Sequence, residues 1–287
     1  ATGFQTEASG NYSTAMGRDT DATGGYSTAI GSSTTASGDY STAMGRITEA
    51  SGIGSTAMGG GTEASGEYST AMGVNTTASG EYSIAMGGGT EASGSYSTAM
   101  GITSYATGDF STAMASGSAS GNFSTAIGGE AFGNYSTAMV GATASGFFST
   151  AMGQETIASG DNSTAMGIET IASGVIATAM GYQSEASGAN STAMGSNSAA
   201  SGDYTTAIGN GNSATGLYSM SIGNDNTTAE GSFALAMGIG TLASGDYSTT
   251  MGQNTIASGT ASTAMGDNNT ASGFASTSIG GGNTASG

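Results

Sequence analysis

Residues 4–17 read Phe4-Gln5-Thr6-Glu7-Ala8-Ser9-Gly10-Asn11-Tyr12-Ser13-Thr14-Ala15-Met16-Gly17, and variants of this stretch recur to the end of the chain. From Gly10 a glycine returns at 24, 38, 52, 66, 80, 94 and 108, and 16 of the 20 intervals up to Gly287 are 14 residues. A unit of that size cannot bury its own apolar face and becomes stable only when stacked on its neighbours. The period therefore predicts one repeat domain over 1–287, an all-β parallel β-roll or solenoid of about 20 turns with two short strands per turn.

Working outward from residues 4–17, each unit holds two segments that end in glycine, Thr6–Gly10 and Tyr12–Gly17, with room for one strand of about five residues apiece. A helix is disfavoured because two glycines per unit, with Ser and Thr filling most other slots, cost several kcal/mol at helix propensities of about 0.5–1 kcal/mol each. Collagen is excluded because glycine does not recur at every third residue and proline is absent.

In the first segment the residue two before the glycine is Ala in all 21 copies, while the residue preceding it varies among Glu, Asp, Thr, Ile, Tyr and Ala. Alternation along a strand makes the constant slot inward and the variable slot outward. In the second segment, Met fills the penultimate slot 15 times and Ile five times, Thr fills the slot two earlier in 17 of 20 copies, and Ser precedes it in 17 of 20. Both faces of this strand are thus restricted, which points to burial on both.

A pair of strands joined by short bends encloses little space, so the small residues are assigned inward: Ser13, Ala15 and Gly17 with Thr6, Ala8 and Gly10, and up the stack Ala22, Ala29, Ala36 and Ala43. The outward set is then a ribbon of Tyr12, Thr14, Met16, Tyr40, Thr42, Met44, Tyr68, Thr70, Met72, Tyr96, Thr98 and Met100 with their counterparts. At roughly 4.8 Å per turn such a ribbon runs about 95 Å, more apolar surface than a lone soluble chain exposes, so it calls for self-association. The reverse parity, with Met and Thr filling the roll, is also compatible with the pattern.

Length variation is confined to one bend. The distance from the first glycine to the following Met or Ile is six residues in every copy, whereas the other bend shortens at about 115–144 and lengthens at about 223–229. A bend of constant length is packed or enclosed and one that absorbs insertions faces solvent, which sets the Tyr-bearing bend beside the expected partner surface.

Composition narrows the chemistry. Without His or Cys there is no ordinary nucleophile–base pair and no soft metal ligand set. Arg18 and Arg46 are the only cationic side chains against 20 acids, so nucleic-acid binding and attachment to anionic membranes are disfavoured. The net charge of −18 implies solubility and some affinity for cations. Stacked acids such as Glu49 and Glu63, or Glu67 and Glu81, could be bridged by surface Ca²⁺; the preferred reading is a solvated acidic face, with no cofactor required. The absence of cysteine fits an extracellular or cell-surface location, and no apolar stretch is long enough for membrane insertion. Both ends fall in mid-pattern, as expected for a piece of something longer.

The slots Tyr12-Ser13-Thr14-Ala15-Met16-Gly17 and Ala22-Thr23-Gly24, and most closely Tyr26-Ser27-Thr28-Ala29-Ile30-Gly31, resemble the head repeats of trimeric autotransporter adhesins, whose motif reads approximately N-S-V-A-I-G followed by x-x-A-x-A-x-G. The resemblance covers essentially the whole chain, with Tyr for Asn, Thr for Val and Met for Ile. It implies a left-handed parallel β-roll, three copies of which pack side by side to bind host matrix, polysaccharide or another surface. The family's neck, stalk and membrane barrel are not in this sequence, and no ligand-binding residue carries over. The expected function is therefore a non-catalytic structural fibre or adhesin head, a homotrimer or higher fibre. The rival from another class is an ice-binding solenoid that uses the Thr ladder, against which stand the single rank of Thr and its Met flanks. An enzyme on this scaffold would need a base beside its acids, and the base is missing.

Overall fold

The computed structural model describes all residues, Ala1–Gly287. It is all-β and parallel throughout, and no helix is long and apolar enough to cross a membrane. The chain divides into two compact units, Ala1–Val140 and Gly141–Gly287, each built from the same turns.

The first unit opens with long strands β1 (Thr2–Ala8), β2 (Thr14–Ala22), β3 (Thr28–Ala36) and β4 (Thr42–Ala50), each paired in parallel with the next at an offset of one repeat, so that Thr14 faces Thr28 and Thr28 faces Thr42. Beyond them most turns split into a five-residue and a two-residue strand, first β5 (Thr56–Gly60) and β6 (Glu63–Ala64). The second unit repeats this division, for example at Thr164–Ile168 and Ile171–Ala172. Strands therefore begin at Thr and not at Tyr as the alternation had suggested, and the first segment pairs over only two residues in most turns. The cause is local. The Tyr slot takes a left-handed backbone, φ 58° at Tyr26 and 60° at Tyr40, which breaks the extended chain just before the strand.

The interior is narrow and its apolar part is alanine alone: Ala15 is 1 % exposed, and Ala22, Ala29, Ala36 and Ala43 are fully buried, while Ala8 in the end turn is half-buried. Two hydroxyl columns complete it, one of Ser (Ser27, Ser41, Ser55) and one of Thr (Thr20, Thr34, Thr48). Ser27 Oγ donates to Gly24 O at 2.7 Å, and in the second unit Thr156 Oγ1 donates to Gly167 O at 3.1 Å. Other members, Ser41, Ser55 and Thr34 among them, have no protein partner. With so little apolar area in the core, cohesion comes mainly from the backbone ladders that join turn to turn.

Gly17 departs from its inward assignment. It sits exposed at a corner with φ 130°, and a Cβ there would collide with the Gly31 carbonyl oxygen of the next turn. Gly66 is buried and similarly close, its missing Cβ pointing at the Gly80 carbonyl oxygen. Turns approach closely because both glycine columns leave the space between them empty.

Irregular turns keep register. In the first unit Thr98, Thr112, Thr125 and Thr137 remain aligned although the intervening bends shorten, with strands clipped to Thr112–Met114 and Thr125–Ile127. In the second unit the inserted residue lies between Met220–Asn224 and Thr228–Ala229, where Asp225 and Asn226 both adopt left-handed φ, and Ser213 still pairs with Thr228.

Candidate functional site

The outward side of each turn carries three columns. The Thr column is half-buried in most turns, at Thr42, Thr70 and Thr98 for example, and exposed at Thr14. Next to it runs the Met/Ile column, in register from Met44 through Met58, Met72 and Met86 to Met100. Met44 and Met72 are half-buried, and Met16 and Met100 are 45 % and 37 % exposed. These side chains keep part of their surface in water.

The third column lies in the bend. Gly24-Gly25-Tyr26-Ser27 closes with Ser27 N donating to Gly24 O at 3.3 Å, and positive φ at its third residue is what a type II turn requires. Glycine or asparagine suits that position, and Gly54, Asn162 and Asn190 do occupy it. Most turns nevertheless place an aromatic ring there. Tyr26 N also donates to Asn11 O at 2.7 Å, so the bend continues the ladder and holds each ring over the next.

The rings stack face to face. In the first unit Tyr12, Tyr26 and Tyr40 form one run with centroids 4.9 and 5.1 Å apart. Tyr68, Tyr82, Tyr96, Phe110, Phe123 and Tyr135 form another, at 4.7–5.1 Å. The second unit contains Tyr204, Tyr218, Phe233 and Tyr247 at 4.6–5.1 Å, and an edge-to-face pair, Phe147 with Phe148, at 4.5 Å. The rings remain largely in solvent, from 81 % exposed at Tyr12 to 42 % at Tyr82, with their faces covered and their edges free. The Tyr82 phenol is raised above its ordinary pKa, first by partial desolvation between its neighbours, then by the nearby Tyr96, Glu81, Tyr68 and Glu67.

Beside the aromatic column the structure gives the acids a role that sequence reasoning missed. Asp39 Oδ1 accepts from Gly25 N at 2.8 Å, Asp109 from Ser95 N at 2.9 Å, and in the second unit Asp203 from Ala189 N and Asp246 from Ser232 N, both at 2.9 Å. Asn122 and Asn134 do the same for Asp109 N and Asn122 N. The available signal was the shared length of Asp and Asn in the slot after glycine. On the opposite bend Glu49 and Glu63 lie in register one turn apart, and Glu63 is followed by Thr77 and then Glu91. No three Asp, Glu, His or Cys converge as a metal-binding group.

No curated protein shows significant similarity to the chain. The family described as YadA head domain repeat (2 copies) matches it at residues 1–20, 22–46, 50–76, 64–90, 92–114, 118–131, 144–170, 172–198, 200–226, 229–255, 243–269 and 257–283. Those matches span nearly all the turns described above, and the parallel solenoid with one Ala-rich and one Thr-Ala-Met strand per turn is consistent with them. This chain belongs to the YadA head domain repeat family, a structural domain of surface-exposed autotransporter adhesins.

Proposed function

We propose that the chain is a non-catalytic adhesin head that associates with two further copies of itself through the Tyr/Thr/Met ribbon. Its outer slots would meet host matrix, polysaccharide or another surface. What supports this reading is the half-exposed Met/Ile column, which recurs turn after turn beside exposed rings. So much repeated apolar surface is unusual on a lone soluble protein. The reading needs no cofactor, and the acid columns act as a solvated, mutually repelling face.

Sedimentation equilibrium of the full chain is expected to return three times the chain mass. Replacing Met44, Met58, Met72 and Met86 by Glu should reduce it to one while far-ultraviolet dichroism stays β-like. A wild-type monomer would sink self-association through the ribbon. The in-register Thr column keeps ice binding as the rival reading. Freezing hysteresis that survives Met-to-Glu substitution and disappears on Thr-to-Val substitution would favour the rival.

A further inference from the structure

The stacked column alternates between runs of tyrosine and stretches that interrupt them. Direct Tyr–Tyr neighbours occur at Tyr12–Tyr26, Tyr26–Tyr40, Tyr68–Tyr82, Tyr82–Tyr96 and Tyr204–Tyr218. Phe110, Phe123 and Phe233 continue the stack but bear no hydroxyl. On the single chain each tyrosine in these pairs is 42–81 % exposed, so an oxidant reaches the phenol before copies associate, and the free ring edge can swing without moving the backbone. The partner ring is already about 5 Å away, with ring planes within 2–15° of parallel.

We propose that these tyrosine pairs are an oxidative cross-linking site, at which neighbouring turns of one chain are joined by dityrosine. A haem peroxidase using hydrogen peroxide takes one electron and the phenolic proton from each of two tyrosines. The two phenoxyl radicals join at their ortho carbons, and the ring hydrogens displaced there move to the oxygens, restoring both phenols. Overall two hydrogen atoms leave the protein and the peroxide becomes two waters. On the dissociated chain coupling runs within the chain, because the ring of the next turn is already stacked on its partner, whereas a ring on another copy must first diffuse to it. Each bond closes a loop about one repeat long and staples turn to turn across a core that contains no apolar residue larger than alanine. Phenylalanine breaks the process, since it stacks but forms no phenoxyl radical.

Three substitutions test this. Tyr26→Phe, Tyr82→Phe and Tyr218→Phe together remove every direct Tyr–Tyr pair while leaving nine of the 12 tyrosines. Phenylalanine already occupies this slot at Phe110, Phe123 and Phe233, so the fold tolerates it. The matched control is Tyr105→Phe, Tyr182→Phe and Tyr247→Phe. Tyr105 has Glu91 and Ser118 as strand neighbours, Tyr182 has Ile168 and Ser196, and Tyr247 stacks on Phe233. The full chain, diluted until sedimentation shows single chains, is treated with a haem peroxidase and hydrogen peroxide and followed by dityrosine fluorescence, denaturing gel and peptide mass. Wild type and control should gain fluorescence at single-chain mass and unfold at higher temperature than untreated protein, while the first variant stays at background. Equal fluorescence from the two triple variants, fluorescence confined to covalent multimers, or none in the wild type would each overturn the proposal.

Discussion

Tyrosine in the left-handed region is the residue-scale feature that most separates this chain from a generic roll. An L-residue there costs roughly 1–2 kcal/mol, and a stacked aromatic pair returns about 0.5–1.5 kcal/mol. The two nearly cancel, so the stacked ring is close to neutral for stability at this position. Deprotonation tests the stack directly. The folded-state pKa of Tyr82 is raised above its unfolded value, so its contribution is complete below about pH 10 and fades as pH rises through the folded pKa. Tyr82→Phe is expected to flatten that alkaline decline in thermal melts, and an unchanged decline would place its cause elsewhere. The interior offers a sharper contrast. Ser55→Ala removes a buried hydroxyl with no protein partner and should change stability by less than about 1 kcal/mol or raise it, as Ala177 and Ala234 in the same slot suggest. Gly66→Ala, whose Cβ would collide with the Gly80 carbonyl oxygen, should cost about 3 kcal/mol or more by chemical denaturation.

Each turn is closed by two bends that obey different rules. The Tyr-bearing bend carries the backbone ladder, the ring stack and the Asp or Asn cap, so its length cannot vary. The opposite bend holds a left-handed residue such as Asn75, Glu169 or Asn254 and absorbs every length change without loss of strand register. The caps can be separated from their charge. Asp203→Ala is expected to lose about 1 kcal/mol, the value of a single hydrogen bond, whereas Asp203→Asn should retain most of it. Denaturant midpoints of the two variants decide the matter, and equal losses would mean that charge and not the hydrogen bond is responsible. Glu67 and Glu81 occupy the same slot with one more methylene, and their effect is felt as charge on Tyr82 instead.

At the scale of the molecule, net charge and the repeat together govern behaviour. The chain carries −18, and like-charged Glu49 and Glu63 sit one strand spacing apart. Added salt screens such exposed pairs, so the melting temperature should rise between low and moderate ionic strength. A flat response would show that the acids are spaced too widely to interact. Membership of the YadA head repeat family fits the parallel solenoid with its alanine interior and its outward Met/Ile and aromatic columns.

Fold class, turn length and the alanine interior were legible in the sequence, because a pattern repeated about twenty times marks its constant slots by size. The Gly columns were legible for the same reason, although their purpose, the collision a Cβ would cause between turns, needed coordinates. Alternation put Tyr12 outward, where it lies, but counted it into the strand and put Gly17 inward; counting odd and even residues assumes an extended backbone, and both positions have positive φ. The aromatic column was legible as well, but its face-to-face stacking and the inter-turn Asp caps were not, because they depend on distances between residues a full turn apart. Periodicity is a one-dimensional property and reached the turn; which groups touch across turns was decided by the way the turns lie on one another.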